Sequence, residues 1–219
     1  MRSARIAYRC PNNRGLISTM ESKREEMRRK QCEITDKTTI DNILGRARVG
    51  RLATIGRDGY PYITPVNYVF WQETIFFHCS LRGEKLDNIR REARVCFEVD
   101  IPLAYLDTGY DRSMQACEVS QFYQSVIIRG RAEIVESSEE KVAALNALMA
   151  SHENNPSFSA ITIKTPAVNL CAVVAVRIDS LSAKANLAQK KSAPDREKIR
   201  SYLLQRDLPG DRQAADLIR

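Results

Sequence analysis

Between positions 60 and 85 the chain reads YPYITPVNYVFWQETIFFHCSLRGEK, and its polar residues suit the grip of an anion. His78, Cys79 and Ser80 close a β-patterned run. A Gly83-Glu84-Lys85 corner follows, and at Leu86 a run with helical character opens toward Arg91. One lysine charge beside the unused N–H groups of a helix start holds phosphate well. Lys85 would supply that charge; a plain surface lysine in a turn is the alternative, since lysine is exposed as a rule. Asn67 lies between Val66 and Tyr68 on a proline-marked strand. Its amide could meet the pyrimidine edge of a flavin or a neighbouring backbone group. His78 could donate to a phosphate, ligate haem iron, act as an acid beside a ring, or be a satisfied strand histidine. Ser125, on a later strand, faces the same choice between a ligand and a structural role. Convergence carries the reading, and the anion it suggests is the phosphate of a flavin.

Other chemistries find less support. There is no Ser/His/Asp arrangement and no carboxylate pair placed for hydrolysis. No G-x-G-x-x-G follows a strand and no G-x-x-x-x-G-K occurs, so the common dinucleotide and P-loop signatures are missing. The six cysteines, Cys10, Cys32, Cys79, Cys96, Cys117 and Cys171, include no C-x-x-C pair. Most sit in apolar strand-like runs, where a thiol is a small hydrophobe. This predicts a reducing cytoplasm without a disulfide framework. No metal site is expected, because close-set ligand pairs are missing and the adjacent His78 and Cys79 point to opposite faces of a strand. His78 would become a metal ligand only if haem were bound.

Six β-patterned runs would position these residues. GRLATI at 50–55 is the first, and Asp58-Gly59 signals a hairpin turn. The second covers 60–70 and contains Pro61 and Pro65; proline donates nothing to a ladder, so these mark an edge, a bulge or a backbone facing a ligand. Gln72-Glu73 turns the chain into the third, 74–79. The fourth, 94–99, alternates Val95, Phe97 and Val99 with Cys96 and Glu98. The fifth is 123–135, with Gly130 as a bulge or close-approach point, and the sixth is the apolar 170–178. A helix after Asp36, capped by Thr38 or Thr39, buries Ile40, Ile43 and Leu44. A second, 139–152, is capped by Ser137 or Ser138 and buries Val142, Leu145, Leu148 and Met149. Residues 101–116 read as irregular. One or two further helices follow Pro194 and Gly210. Many strands with few short helices predict a mainly β, α+β fold: a six-stranded antiparallel barrel with peripheral helices.

The 219 residues suit one ordinary domain with tails. No apolar run approaches the ~18 residues of a membrane span. The net charge of +7 is concentrated at the ends. Residues 1–30 hold nine Lys/Arg against three Glu, 31–183 hold 16 against 19 acidic residues, and 184–219 hold nine against five. The body is therefore mildly acidic, and nucleic acid is not an expected partner. The chain divides into a leader at 1–32, a domain at 33–183 and a helical tail at 184–219. The arginine-rich leader reads as an unstructured segment, or as the product of an early start with Met20 or Met27 first. An organellar transit peptide is the alternative.

The order GRLAT, DGYPYITPVNYVF, IFFHCSLRGEKLDNI, RVCFEV and YQSVIIRGRA resembles the FMN-binding split barrels related to pyridoxamine 5′-phosphate oxidase. Within them it is most similar to the nitroimidazole-resistance branch. The resemblance spans 33–180 and implies a homodimer with FMN in a groove built by both subunits. It implies that Thr64, Pro65, Val66, Asn67 and Tyr68 run along the flavin ring. His78, Cys79, Ser80, Lys85 and Leu86 would serve the phosphate and ribityl chain, and Ser125 the ring. Oxidases proper carry basic residues where this chain has Thr64 and Glu84, and a C-terminal Trp/Arg segment not found here. Pyridoxamine phosphate is therefore not the expected substrate. The leading expectation is an FMN-dependent reductase of a small, electron-poor molecule, with a nicotinamide cofactor as donor. The alternative is a non-catalytic flavin- or haem-binding protein or a redox-responsive regulator.

Overall fold

The first strand, β1 (Val49–Ile55), turns through Gly59 into β2 (Pro61–Asn67), and the two pair antiparallel from Val49↔Asn67 to Ile55↔Pro61. The structure is a computed structural model and describes residues 27–218 apart from 112 and 156. The arginine-rich leader up to residue 26, Cys10 included, lies outside the described residues.

After β2 the chain bends at Tyr68 and resumes as β3 (Val69–Trp71), which pairs with β4 (Thr74–Cys79). Gln72 and Glu73 join them with φ of 50° and 58°, a turn that matches the strand twist. The remaining strands are β5 (Arg94–Leu106), β6 (Ser120–Ile134) and β7 (Ala172–Asn186). All seven form one antiparallel sheet in the order β2-β1-β5-β6-β7-β4-β3. The end strands, β2 and β3, are consecutive in the chain, so the sheet curls back on itself as a split barrel.

The interior is lined by alternate residues: Leu52, Val66, Ile75, Phe77, Phe97, Val99, Val126, Ile128, Val174 and Val176. Helix α1 (Lys37–Arg46) closes one side through Ile40, Ile43 and Leu44. Helix α2 (Glu84–Arg91) adds Leu86 and Ile89. Helix α3 (Ser138–His152) lies on the outer side of β3, β4 and β7 with Ala144, Leu145 and Leu148 over Phe76, Val173 and Ala175. Helices α4 (Ala193–Arg206) and α5 (Asp211–Leu217) cover the far ends of β5 and β6 at Leu103, Leu106 and Phe122.

Four differences from the sequence reading have physical causes. Among the described residues there are seven strands instead of six, because the run 60–70 breaks at Tyr68, where Tyr68 and Val69 are both buried and the alternation fails. Residues 101–106, expected to be irregular, extend β5 because α4 and α5 cover their apolar side chains. β7 runs on to Asn186, with Ala183 and Ala185 buried. Asp36, not Thr38 or Thr39, caps α1, accepting from the Thr39 amide at 2.8 Å. Gly130 does mark a register shift between β6 and β7, and a side chain there would collide with the Arg177 carbonyl.

Candidate functional site

β2 is an edge strand, which is where Pro61 and Pro65 can sit without breaking a ladder. They share a parity with Ile63 and Asn67, so the main-chain groups of these four positions face away from β1. Side-chain direction then divides the predicted residues. Val66 and Tyr68 turn inward and are buried. Tyr68 lies edge-on against Phe97 at 5.0 Å and donates its hydroxyl to the Leu44 carbonyl at 2.6 Å. Burial pushes the Tyr68 phenol well above its usual range. Thr64 is half-buried, and its hydroxyl oxygen is enclosed without a hydrogen-bond partner among the described residues. Pro65 and Asn67 face outward and are exposed.

Register brings Ser125 onto the same outward face as Asn67. Asn67 pairs with Val49 on β1, while Ser125 on β6 pairs with Asp100 of β5 and Lys184 of β7. Three strand spacings of ~4.8 Å separate Asn67 from Ser125, or roughly 14 Å, a span comparable to a flavin. Arg51 lies between them, bridging to Glu98 at 3.0 Å and to Asp100. Burial raises the Glu98 carboxyl, the neighbouring Asp100 raises it further, and Arg51 pulls it back. Ser125 is buried, yet neither its hydroxyl nor the Asn67 amide has a hydrogen-bond partner among the described residues. Unmet polar groups on a sheet face are costly unless water or a ligand meets them.

The second cluster stands where β4 ends and α2 begins. His78 is exposed on the outer side of β4, Cys79 is half-buried against the barrel interior, and Ser80 is exposed. Burial pushes the Cys79 thiol up, and the Lys85 charge partly opposes this. Gly83, at φ 133°, makes the corner, and its carbonyl accepts from the Leu86 and Asp87 amides at 3.0 and 3.2 Å. The amides of Glu84 and Lys85 are left outside that turn. Lys85 Nζ rests 5.3 Å from the Phe77 ring centroid and enters no ion pair among the described residues. Leu86 is buried and anchors the helix. One uncommitted cation, a serine hydroxyl and two first-turn amides fit a phosphate monoester; the exposed Glu84 beside them weakens the grip.

Sequence reading missed the groups that hold these segments. His152, at the end of α3, places its Nε2 2.8 Å from the Tyr68 carbonyl, and the Arg48 guanidinium reaches the Ser151 carbonyl. α1, α3 and the start of β1 thus meet at the bend that aims Asn67. The two partners lie 84 residues apart in the chain, so only the fold brings them together. Among the described residues, no group of three or more His, Cys, Asp or Glu is placed to hold a metal ion. No helix there is long and apolar enough to cross a membrane. The five described cysteines are free thiols.

The antiparallel sheet, curled on itself between its end strands β2 and β3, is a split barrel with uncommitted polar groups on one face and at one helix corner. The family model for pyridoxamine 5′-phosphate oxidase matches residues 36–185, and the chain belongs to that family. It is 27% identical to a protein of Bacteroides thetaiotaomicron described as a putative 5-nitroimidazole antibiotic resistance protein, with a TM-score of 0.59 over 70% of this chain and 86% of that one. The resemblance drawn from the motifs at 50–130 is borne out. The flavocytochrome Anf3 of Azotobacter vinelandii shares the fold at 18% identity, with a TM-score of 0.62 over 74% of this chain and 72% of that one. So does the FAD and heme binding protein of Mycobacterium smegmatis, at 20% identity and a TM-score of 0.61 over 77% and 79%. No curated protein sequence matches.

Proposed function

We propose that the protein is an FMN-binding flavoprotein that works as a homodimer and reduces a small, electron-poor molecule with electrons from a nicotinamide cofactor. The observation that carries this reading is the set of uncommitted polar groups: Lys85 at the corner, and Asn67 and Ser125 on the outward face. Family membership supports it, as does the likeness to the putative nitroimidazole-resistance protein. In this reading Lys85, Ser80 and the first-turn amides of α2 hold the phosphate. The edge of β2, with the Asn67 amide and the outward main-chain groups of Ile63 and Pro65, meets the polar rim of the ring. Ser125 reaches the ring from β6. Bound FMN would supply hydride or single-electron transfer; the chain fixes the ring and shields it from water. Exposed Ile63, Val49, Ile55 and Ile127 on the same sheet face give a second copy an apolar seat, closing the groove.

A visible spectrum of the purified protein tests this. Flavin bands, with FMN released on denaturation and identified by mass, are the expected result. A colourless protein that gains no flavin absorbance on adding FMN would overturn it. A second reading, haem ligation, is favoured by one observation: the exposed His78 ring has no hydrogen-bond partner among the described residues. It requires a Soret band that His78→Ala abolishes, and an unchanged band would end it.

A further inference from the structure

A cleft of about 320 Å³ opens where the chain enters the barrel, lined by Met27, Arg28, Arg29, Cys32, Tyr123, Lys184 and Asn186. Among the described residues its lining holds three cations and no carboxylate, in a chain whose 31–183 body carries more acidic than basic residues. Lys184 Nζ stands 5.4 Å from the Tyr123 ring centroid, which gives the cleft a flat wall with a charge beside it. Asn186 commits its amide hydrogens to Ser120 Oγ at 2.9 Å and the Gln121 carbonyl at 2.7 Å, so its position is fixed. The isolated bridge between Glu33 and Lys184 pins the entering segment to β7. Among the described residues, neither Arg28 nor Arg29 is in an ion pair. Three like charges around one small cleft repel each other, and an anion among them relieves that cost.

We infer that this cleft is a binding subsite for a small aromatic carboxylate, a planar ring bearing one carboxylate group. The ring would lie on Tyr123, and the anionic group would face Lys184, Arg28 and Arg29. Lys184 is the direct ladder partner of Ser125, so the subsite adjoins the outward face described above. The inference thereby names a substrate class for the proposed reductase, although binding in the cleft does not require flavin.

Calorimetric titration of the full-length protein with 4-nitrobenzoate, and in parallel with its neutral counterpart 4-nitrobenzyl alcohol, tests it. The anion should bind at least about tenfold more tightly than the alcohol. That advantage should fade between about 0.05 M and 1 M salt as screening shortens from over 10 Å to about 3 Å. Lys184→Gln, which keeps most of the side-chain stem, should weaken the anion by about tenfold. The double change of the exposed Arg28 and Arg29 to Gln should do the same without touching the core. Equal binding of the two probes, or unchanged anion affinity in both variants, overturns the subsite. Displacement of the anion by added FMN overturns it as a separate subsite. A colourless protein that still discriminates the probes would keep the subsite and discard the flavin reading.

Discussion

The outward face of β1, β2, β5 and β6 and the C-terminal helical pair treat polar groups in opposite ways. In the C-terminal helical pair the charges around Arg206 are consumed by one another. Arg206 donates to both oxygens of Asp211, at 2.9 and 2.7 Å, to Asp107 at 2.5 Å and to the Tyr105 carbonyl at 2.9 Å. Asp107 also accepts from Tyr202 at 2.6 Å and from the Gly109 amide at 2.9 Å. On the outward face and at the α2 corner, Asn67, Ser125 and Lys85 are left without such partners among the described residues, and so is the inward Thr64 hydroxyl. A saturated network holds a structure together, whereas an unsaturated one of similar polarity awaits something else. Substitutions in the first should cost stability and spare binding; those in the second should do the reverse.

The largest effect is expected from Asp211→Asn. Asp211 is fully buried, and removing its charge leaves the Arg206 guanidinium, only 14% exposed, with Asp107 as its one remaining carboxylate among the described residues. With Asp107 still compensating Arg206, the loss should cost about 3 kcal/mol, the low end for breaking a buried pair. Thermal or urea unfolding should show it, with flavin uptake per folded molecule unchanged. Lys85→Ala should do the opposite: unfolding close to wild type, and FMN affinity down by about 10–100-fold, the worth of a hydrogen bond to a charged group at about 1.5–3 kcal/mol. If it unfolds the protein instead, the division between the two regions fails. His152→Ala tests the join between them. Losing the bond to the Tyr68 carbonyl should cost about 1 kcal/mol of stability. It should also shift the flavin absorption maximum by loosening the bend, whereas a purely structural role would leave the spectrum of bound flavin unmoved.

Acid should separate the regions as well. The Arg206 bonds hold the Asp211 carboxyl below its ordinary 3.8, and the Tyr202 hydroxyl does the same for Asp107. A carboxyl depressed in the folded state stabilises it fully above 3.8, and that contribution is lost as pH falls through the lower folded value. Near-ultraviolet dichroism of Tyr110 and Tyr202, whose rings stand 5.7 Å apart, should therefore hold to about pH 4 and fall below it. Loss of that signal at higher pH would contradict the assigned network.

The barrel was legible where side chains alternate. Val95, Phe97 and Val99 announced β5, and Asp58-Gly59 announced the first hairpin. It was not legible where burial comes from distant parts of the chain. Leu103 and Leu106 look like loop residues until Ile199, Leu203 and Ala214 are packed on them, and Gly210 crosses against the Leu103 carbonyl at φ 90°. The candidate site was half legible. Residue type pointed to Asn67, Ser125 and Lys85, but period-two geometry turned Val66 inward and Asn67 outward, and only register could set Ser125 on the face that Asn67 shares. His152 and Lys184 emerged only with the fold.

The most direct test of the account is a paired titration with FMN and with riboflavin, which has the same ring and lacks the phosphate. If the Lys85 corner grips a phosphate, FMN should bind with one molecule per chain and at least about tenfold more tightly than riboflavin, and Lys85→Ala should erase most of that difference. Equal affinity for the two flavins, or binding of neither, would contradict it.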